Sequence, residues 1–244
     1  MTGSAAGTVV LTCGGAPPPA VLTGLPGGRC AGRPARAEVD ALAAGARRVV
    51  VVGDDADLAA VLVRLLRDER LDVELAYVPA APTAATRVWG LPHGALAATL
   101  ALTGVAACSV LVRDDNGGVL VGGGTLRGVE GVPLRGEAYA DDTLVFSGEV
   151  SELRVRPAPA GPGVQVVAVG VPRLRRLRRR LRSGGTPGGA ARGSEVAAGA
   201  VAARAVQLGS TGCEVVRDGV RLERAVTRWA LYRHTDDWLL VRPG

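Results

Sequence analysis

Three carboxylates fall within four residues in Gly53-Asp54-Asp55-Ala56-Asp57-Leu58, directly after the run Val49-Val50-Val51-Val52. Carboxylate oxygens are hard ligands, and such a cluster can hold Mg²⁺. Asp55 and Asp57 are the candidate metal ligands. A strand, a tight turn and a helix N-terminus also make the usual phosphate cradle of α/β folds, because backbone N–H groups and the helix dipole face the anion. On that reading Gly53, Asp54, Ala56 and Asp57 line a nucleotide, with a metal bound beside it. The charges oppose it. A carboxylate about 4 Å from a phosphate charge repels it by roughly 4 kcal/mol at an effective dielectric of 20. The alternative reading is structural, with Asp54 or Asp55 capping the following helix and favouring its dipole.

A second charged feature is the segment Arg173-Leu174-Arg175-Arg176-Leu177-Arg178-Arg179-Arg180-Leu181-Arg182. Leu174, Leu177 and Leu181 share one helical face. Arg175, Arg176, Arg178, Arg179 and Arg180 are the candidate anion-binding residues, placed to meet an anionic membrane surface while the leucines dip into the headgroups. The alternative is an exposed loop without a partner. Nucleic acid is disfavoured as partner, since no aromatic stacking platform accompanies the arginines.

Other clusters read more simply. Asp114-Asp115-Asn116-Gly117-Gly118 is a hairpin turn on its Asn-Gly pair. Gly122-Gly123-Gly124-Thr125 has the composition of an anion cradle but no following helix, and reads as a loop. Asp141-Asp142 reads as a turn. His93 and His234 lack any triad-like neighbour pattern and read as structural or solvent-exposed. The four cysteines, Cys13, Cys30, Cys108 and Cys213, are far apart and share no metal-ligand spacing. There is no lysine among the 244 residues, so a P-loop lysine, a Schiff base and a lysine general base are all excluded.

These residues need elements to hold them. The valine run is a strand buried on both faces, as in a parallel sheet. Residues 56–69 form a helix packed on it. Strands at 8–13 and 72–79 and helices at 35–46 and 93–103 complete an α/β domain over residues 1–104, with a long Gly/Pro-rich loop from Gly14 to Pro34. From Val105 short alternating runs separated by Gly, Asp and Pro predict an antiparallel β-sandwich domain over 105–244. Its candidate strands are 105–112, 117–122, 143–157, 163–170, 204–209, 213–217, 225–233 and 237–242. A flexible basic and Gly-rich insertion interrupts it at about 172–200. The fold class is therefore α/β followed by all-β. Net charge is +6, concentrated in the insertion. Without a signal-like start or an apolar run near the ~20 residues that span a bilayer, the expectation is a cytoplasmic protein, peripheral to the membrane through the arginine segment.

The chain resembles the catalytic domains of diacylglycerol kinases and sphingosine kinases, whose fold extends to NAD kinases. That family carries Gly-Gly-Asp-Gly-Thr-Leu after a valine-rich strand. Gly53, Asp55 and Leu58 match; Asp54 and Ala56 replace glycines, and Asp57 replaces threonine. Pro79 and Arg87-Val88-Trp89-Gly90-Leu91 follow the family's next strand and helix end, while the glycines, asparagine and aspartate between them are absent. Asp218-Gly219-Val220 resembles the family's Asp-Gly-Glu near the C-terminus, with valine in place of glutamate. The resemblance implies a small α/β domain, a β-sandwich domain and an active site between them. It implies transfer of the ATP γ-phosphate to a lipid hydroxyl, with Mg²⁺ and ATP as cofactors and with Asp55 and Asp218 as catalytic residues. The substitutions remove most of what that transfer needs, so the expected activity is weak or lost. The alternative is a non-catalytic protein that binds a membrane surface or a partner through its arginines.

Overall fold

The computed structural model describes residues 7–15, 17–170, 195–196 and 199–243. The segment with Arg175, Arg176, Arg178, Arg179 and Arg180 lies outside the described residues. The chain begins with β1 (Thr8–Cys13), β2 (Gly27–Cys30), α1 (Arg36–Ala43), β3 (Arg48–Val52) and α2 (Asp55–Arg67). It continues with β4 (Glu74–Val78), α3 (Ala84–Trp89), α4 (Gly94–Thr103) and β5 (Val105–Ser109). Then come β6 (Val112–Asp114), β7 (Val119–Leu120), β8 (Gly124–Gly128), β9 (Leu134–Ala140), β10 (Thr143–Pro157) and β11 (Val164–Gly170). The last described strands are β12 (Glu195–Val196), β13 (Val201–Ala203), β14 (Ala205–Arg217), β15 (Val220–Arg221), β16 (Val226–Arg233) and β17 (Trp238–Arg242).

A mixed six-stranded sheet has the order β2-β1-β3-β4-β17-β5. All five residues of β3 are buried, as a β-branched run inside a parallel sheet requires. Alternate valines serve opposite faces. Val49 and Val51 pack with α1, α2 and α3 through Val39, Leu58, Leu62 and Trp89. Val50 and Val52 pack with Ala97, Ala98 and Ala101 of α4. Removing each valine or leucine side chain from water contributes about 1.5–3 kcal/mol.

Among the described residues eleven strands form the second sheet, with the path β13-β11-β10-β8-β14-β16-β6-β7. β8 and β9 lie end to end in one row between β10 and β14. The first halves of β10 and β14 bond β9, and their second halves bond β8. Bulges interrupt the ladders at Val150/Glu152 and at Gly209/Cys213, and a bulge bends a strand. Phe146, Leu126, Leu153, Trp229 and Leu231 fill the core against this sheet.

The structure corrects several expected elements. The loop over 14–34 contains β2, held to β1 by parallel bonds. The run 105–112 divides: β5 joins the first sheet and β6 the second. Residues 204–209 and 213–217 are one bulged strand. β8 and β9 were not foreseen, because Gly and Arg in both, and Glu137 in β9, blur the period-two pattern. β17 inserts between β4 and β5, so strands from both sides of the expected boundary at residue 104 build the first sheet. Trp238 on β17 meets Trp89 of α3 edge to face, with ring centroids 5.6 Å apart.

Candidate functional site at the junction of the two sheets

Asp54 is the N-cap of α2. Its Oδ1 accepts from the Asp57 backbone N–H at 2.9 Å, and Asp57 Oδ2 accepts from the Asp54 N–H at 2.9 Å. This reciprocal capping satisfies two helix donors that a phosphate would otherwise use. Arg33, from the segment after β2, adds Nη1 at 3.1 Å from Asp54 Oδ1 and 3.5 Å from Asp57 Oδ1. Burial pushes the Asp57 carboxyl up, aided by the Asp54 charge, while Arg33 and a backbone hydrogen bond oppose the rise. Gly53 is required here for a local reason: a Cβ would land on Asp57 Oδ2. Ala56 is buried beside these groups. The acidic turn is thus folded onto itself and paired with an arginine.

Asp55 points the other way. Its Oδ1 accepts from Tyr77 Oη at 2.7 Å, and its Oδ2 accepts from the Ala85 backbone N–H at 3.1 Å. The carboxylate therefore ties the start of α2 to β4 and α3. Burial, followed by the Asp55 charge, drives the Tyr77 hydroxyl far above its ordinary value, so the phenol stays a proton donor.

Asp218 and Gly219 form the two-residue turn between β14 and β15, with φ of 47° and 81°. Two positive φ values define the turn that suits a right-twisted hairpin, and Asp-Gly is a favoured pair for it. The turn projects the Asp218 carboxylate into the loop before β8. Oδ1 accepts from the N–H groups of Gly122 at 2.7 Å and Gly123 at 3.0 Å, and Oδ2 accepts from Val121 at 3.0 Å. The Gly122-Gly123 stretch is therefore a backbone cradle for an anion, and the anion is the chain's own carboxylate. Asp218 is 6% exposed. Burial pushes its carboxyl up to about 7, with the Asp55 charge adding and the three N–H groups opposing.

Gly122 stands between the two carboxylates. A Cβ there would lie 2.7 Å from both Asp55 Oδ2 and the Ala85 nitrogen. Asp55 and Asp218 thus face one junction, each with both oxygens bonded to protein donors. The indole N–H of Trp89 closes the contact by donating to Val121 O at 2.7 Å. Two cavities flank it. One of about 350 Å³ is lined by Arg33, Ala56, Arg67, Arg217 and Asp218. The other, about 530 Å³, is lined by Arg87, Val88, Gly123, Arg154, Val155 and Arg156.

The candidate residues divide accordingly. Asp55 and Asp218 come together; Gly53, Asp54, Ala56 and Asp57 form a separate cluster with Arg33. Asp55 and Asp57 are held by different partners. Among the described residues no three His, Cys, Asp or Glu side chains converge as metal ligands, and the donor set does not fit a bound Mg²⁺. Asp114, in the predicted hairpin turn, accepts from the N–H groups of Asn116 and Gly118 and pairs with Arg217. His234 accepts from the Asp236 N–H through Nδ1 at 3.1 Å, a structural role. Sequence reasoning missed Tyr77 and Arg33. No local signal marks them, since their partners are 21 or more positions away in the chain. Gly122 and Gly123 did carry a signal in their composition.

No protein-family model matches the chain, and no curated protein does. Solved structures match over nearly its whole length. A diacylglycerol kinase from Bacillus anthracis str. Sterne superposes with a TM-score of 0.65 at 10% identity, covering 98% of each chain. An NAD kinase from Archaeoglobus fulgidus, solved in complex with ATP, gives a TM-score of 0.52 at 10% identity, covering 96% of this chain and 93% of the other. The chain has the fold shared by diacylglycerol kinases and NAD kinases. Among the described residues no helix is long and apolar enough to cross a membrane.

Proposed function

We propose that this chain is a kinase-fold protein that has given up phosphoryl transfer and acts by binding, its second sheet folded over its own core as a sandwich. One observation carries the reading: the N–H groups of Val121, Gly122 and Gly123 are occupied by Asp218. The acidic turn adds to it, because its donors are consumed by reciprocal capping and its charges repel a polyphosphate. Phosphoryl transfer rests on placed charge and on donors aimed at the phosphates, and here those donors point at the protein. The partner we assign is an anionic membrane surface, met by Arg175, Arg176, Arg178, Arg179 and Arg180; the leucine–arginine pattern of that segment supports it.

One feature favours the other reading, a lipid kinase. Asp218 has a carboxyl near 7 beside Asp55, a value suited to accepting a hydroxyl proton. Two measurements separate them. With Mg·ATP the melting temperature stays unchanged, whereas a ligand at a hundred times its Kd stabilises by about 2.7 kcal/mol. Vesicles rich in anionic lipid bind the protein, and glutamine at the five arginines abolishes binding. A clear thermal shift together with labelled phosphate on diacylglycerol establishes the kinase instead.

A further inference from the structure

Cys13 and Cys30 stand opposite one another where β1 and β2 end. The two strands are parallel and in register from Val10 with Gly27 to Cys13 with Cys30. Residues paired in this way share a face of the sheet, and neighbouring strands lie about 4.7–4.9 Å apart. That spacing is inside the ~4.4–6.8 Å Cα separation that a disulfide spans. The two thiols lie in one buried cluster, and Cys30 Sγ donates to Thr12 O at 3.7 Å, next to Cys13 on β1. Both are free thiols in the structure.

We propose that Cys13 and Cys30 are a redox-active dithiol site, closed to a disulfide by exchange with a low-molecular-weight disulfide. The Cys30 thiolate attacks one sulfur of the small disulfide. Its S–S bond breaks, the first small thiolate leaves and takes up a proton, and a mixed disulfide remains on Cys30. The Cys13 thiol gives its proton to solvent, and its thiolate attacks Cys30 Sγ and expels the second small thiol. The protein loses two electrons and two protons, and the small disulfide gains both.

Access decides which thiol reacts first. Both are buried, but β2 is an edge strand of the sheet, and its Gly27 and Arg29 are exposed. Fraying of one short strand uncovers Cys30 without global unfolding. Cys13 lies on the interior strand. Burial pushes its thiol up, and the Cys30 contact and the Asp57 and Asp54 charges add to the rise, so it is the slow, resolving partner. Arg33 follows Cys30 by three residues and rests on Asp54 and Asp57. Closing the disulfide pins the segment that covers the acidic turn, whether or not any nucleotide binds there.

The full-length protein is incubated for hours with oxidised or reduced glutathione, alkylated in denaturant and digested with trypsin, which cuts after Arg29 between the two cysteines. The expected product after oxidised glutathione is a Cys13–Cys30 cross-linked peptide pair. Exposed Cys108, on the opposite edge strand β5, gives a glutathione adduct instead, and buried Cys213 stays a thiol. The melting temperature rises by about 5–10 °C, as expected for a closed loop of this length. In Cys13→Ser the Cys30 adduct persists, because nothing resolves it. Recovery of Cys13 and Cys30 as two alkylated thiols, or as separate glutathione adducts in the wild-type chain, overturns the proposal.

Discussion

Replacing Asp218 with Asn tests the electrostatics of the junction directly. In the folded chain this carboxyl is pushed from 3.8 to about 7, chiefly by burial. The folded form therefore binds more protons than the unfolded form between about pH 4 and 7, and stability falls as pH rises through that window. Above about pH 7 both states are ionised there and the dependence flattens. At about 1.36 kcal/mol per unit, the loss between pH 5 and pH 8 is about 2–3 kcal/mol. Asp55 faces the group from α2. Arg217 precedes it on β14 but is engaged by Asp114, and Arg33 and Arg67 lie across the flanking cavity. Asn cannot titrate. Its carbonyl can accept from Gly122 and Gly123, but its amide meets the Val121 N–H as donor against donor, a penalty of about 1–3 kcal/mol. Asp218→Asn is therefore less stable than the wild type at pH 5, and the gap closes or reverses by pH 8. Urea unfolding of both proteins at several pH values measures the difference, in which titrating groups common to both proteins cancel. Parallel pH dependences, or a gap that widens with pH, would refute the assignment of Asp218 as a buried, proton-binding carboxyl.

Tyr77→Phe removes the donor to Asp55 Oδ1 and leaves a buried carboxylate under-bonded; a loss of about 1.5–3 kcal/mol in chemical denaturation is expected. Gly122→Ala drives a methyl group into the Asp55 carboxylate and the Ala85 nitrogen, and should cost about 2–3 kcal/mol. Gly219→Ala meets no atom within 4 Å but holds φ at +81°, so it should cost only about 1–2 kcal/mol; equal losses at the two glycines would contradict the crowding at Gly122.

The sequence by itself determined the buried strand, the turn that ends it and the helix after it. Those follow from local physics: four valines in a row suit a parallel sheet, and an Asp three residues before another Asp can cap a helix reciprocally. It also determined the hairpin turn at Asn116-Gly117, between β6 and β7, because Asn-Gly is a strong local signal for a tight turn. Likeness of residue order pointed to the kinase fold, although the phosphate-binding chemistry in those motifs has changed. What each carboxylate holds was decided only by tertiary structure. Asp54, Asp55 and Asp57 are neighbours in the chain, yet successive helical positions point in different directions. Asp54 and Asp57 therefore turn to Arg33, and Asp55 turns to Tyr77. Asp218 lies nearly a hundred residues from the backbone donors that bind it, and no local pattern encodes that distance. The same holds for Cys13 and Cys30, which were legible as scattered cysteines until strand register put them side by side. Local propensity sets which elements form; the pairing of distant strands sets which charges and thiols meet.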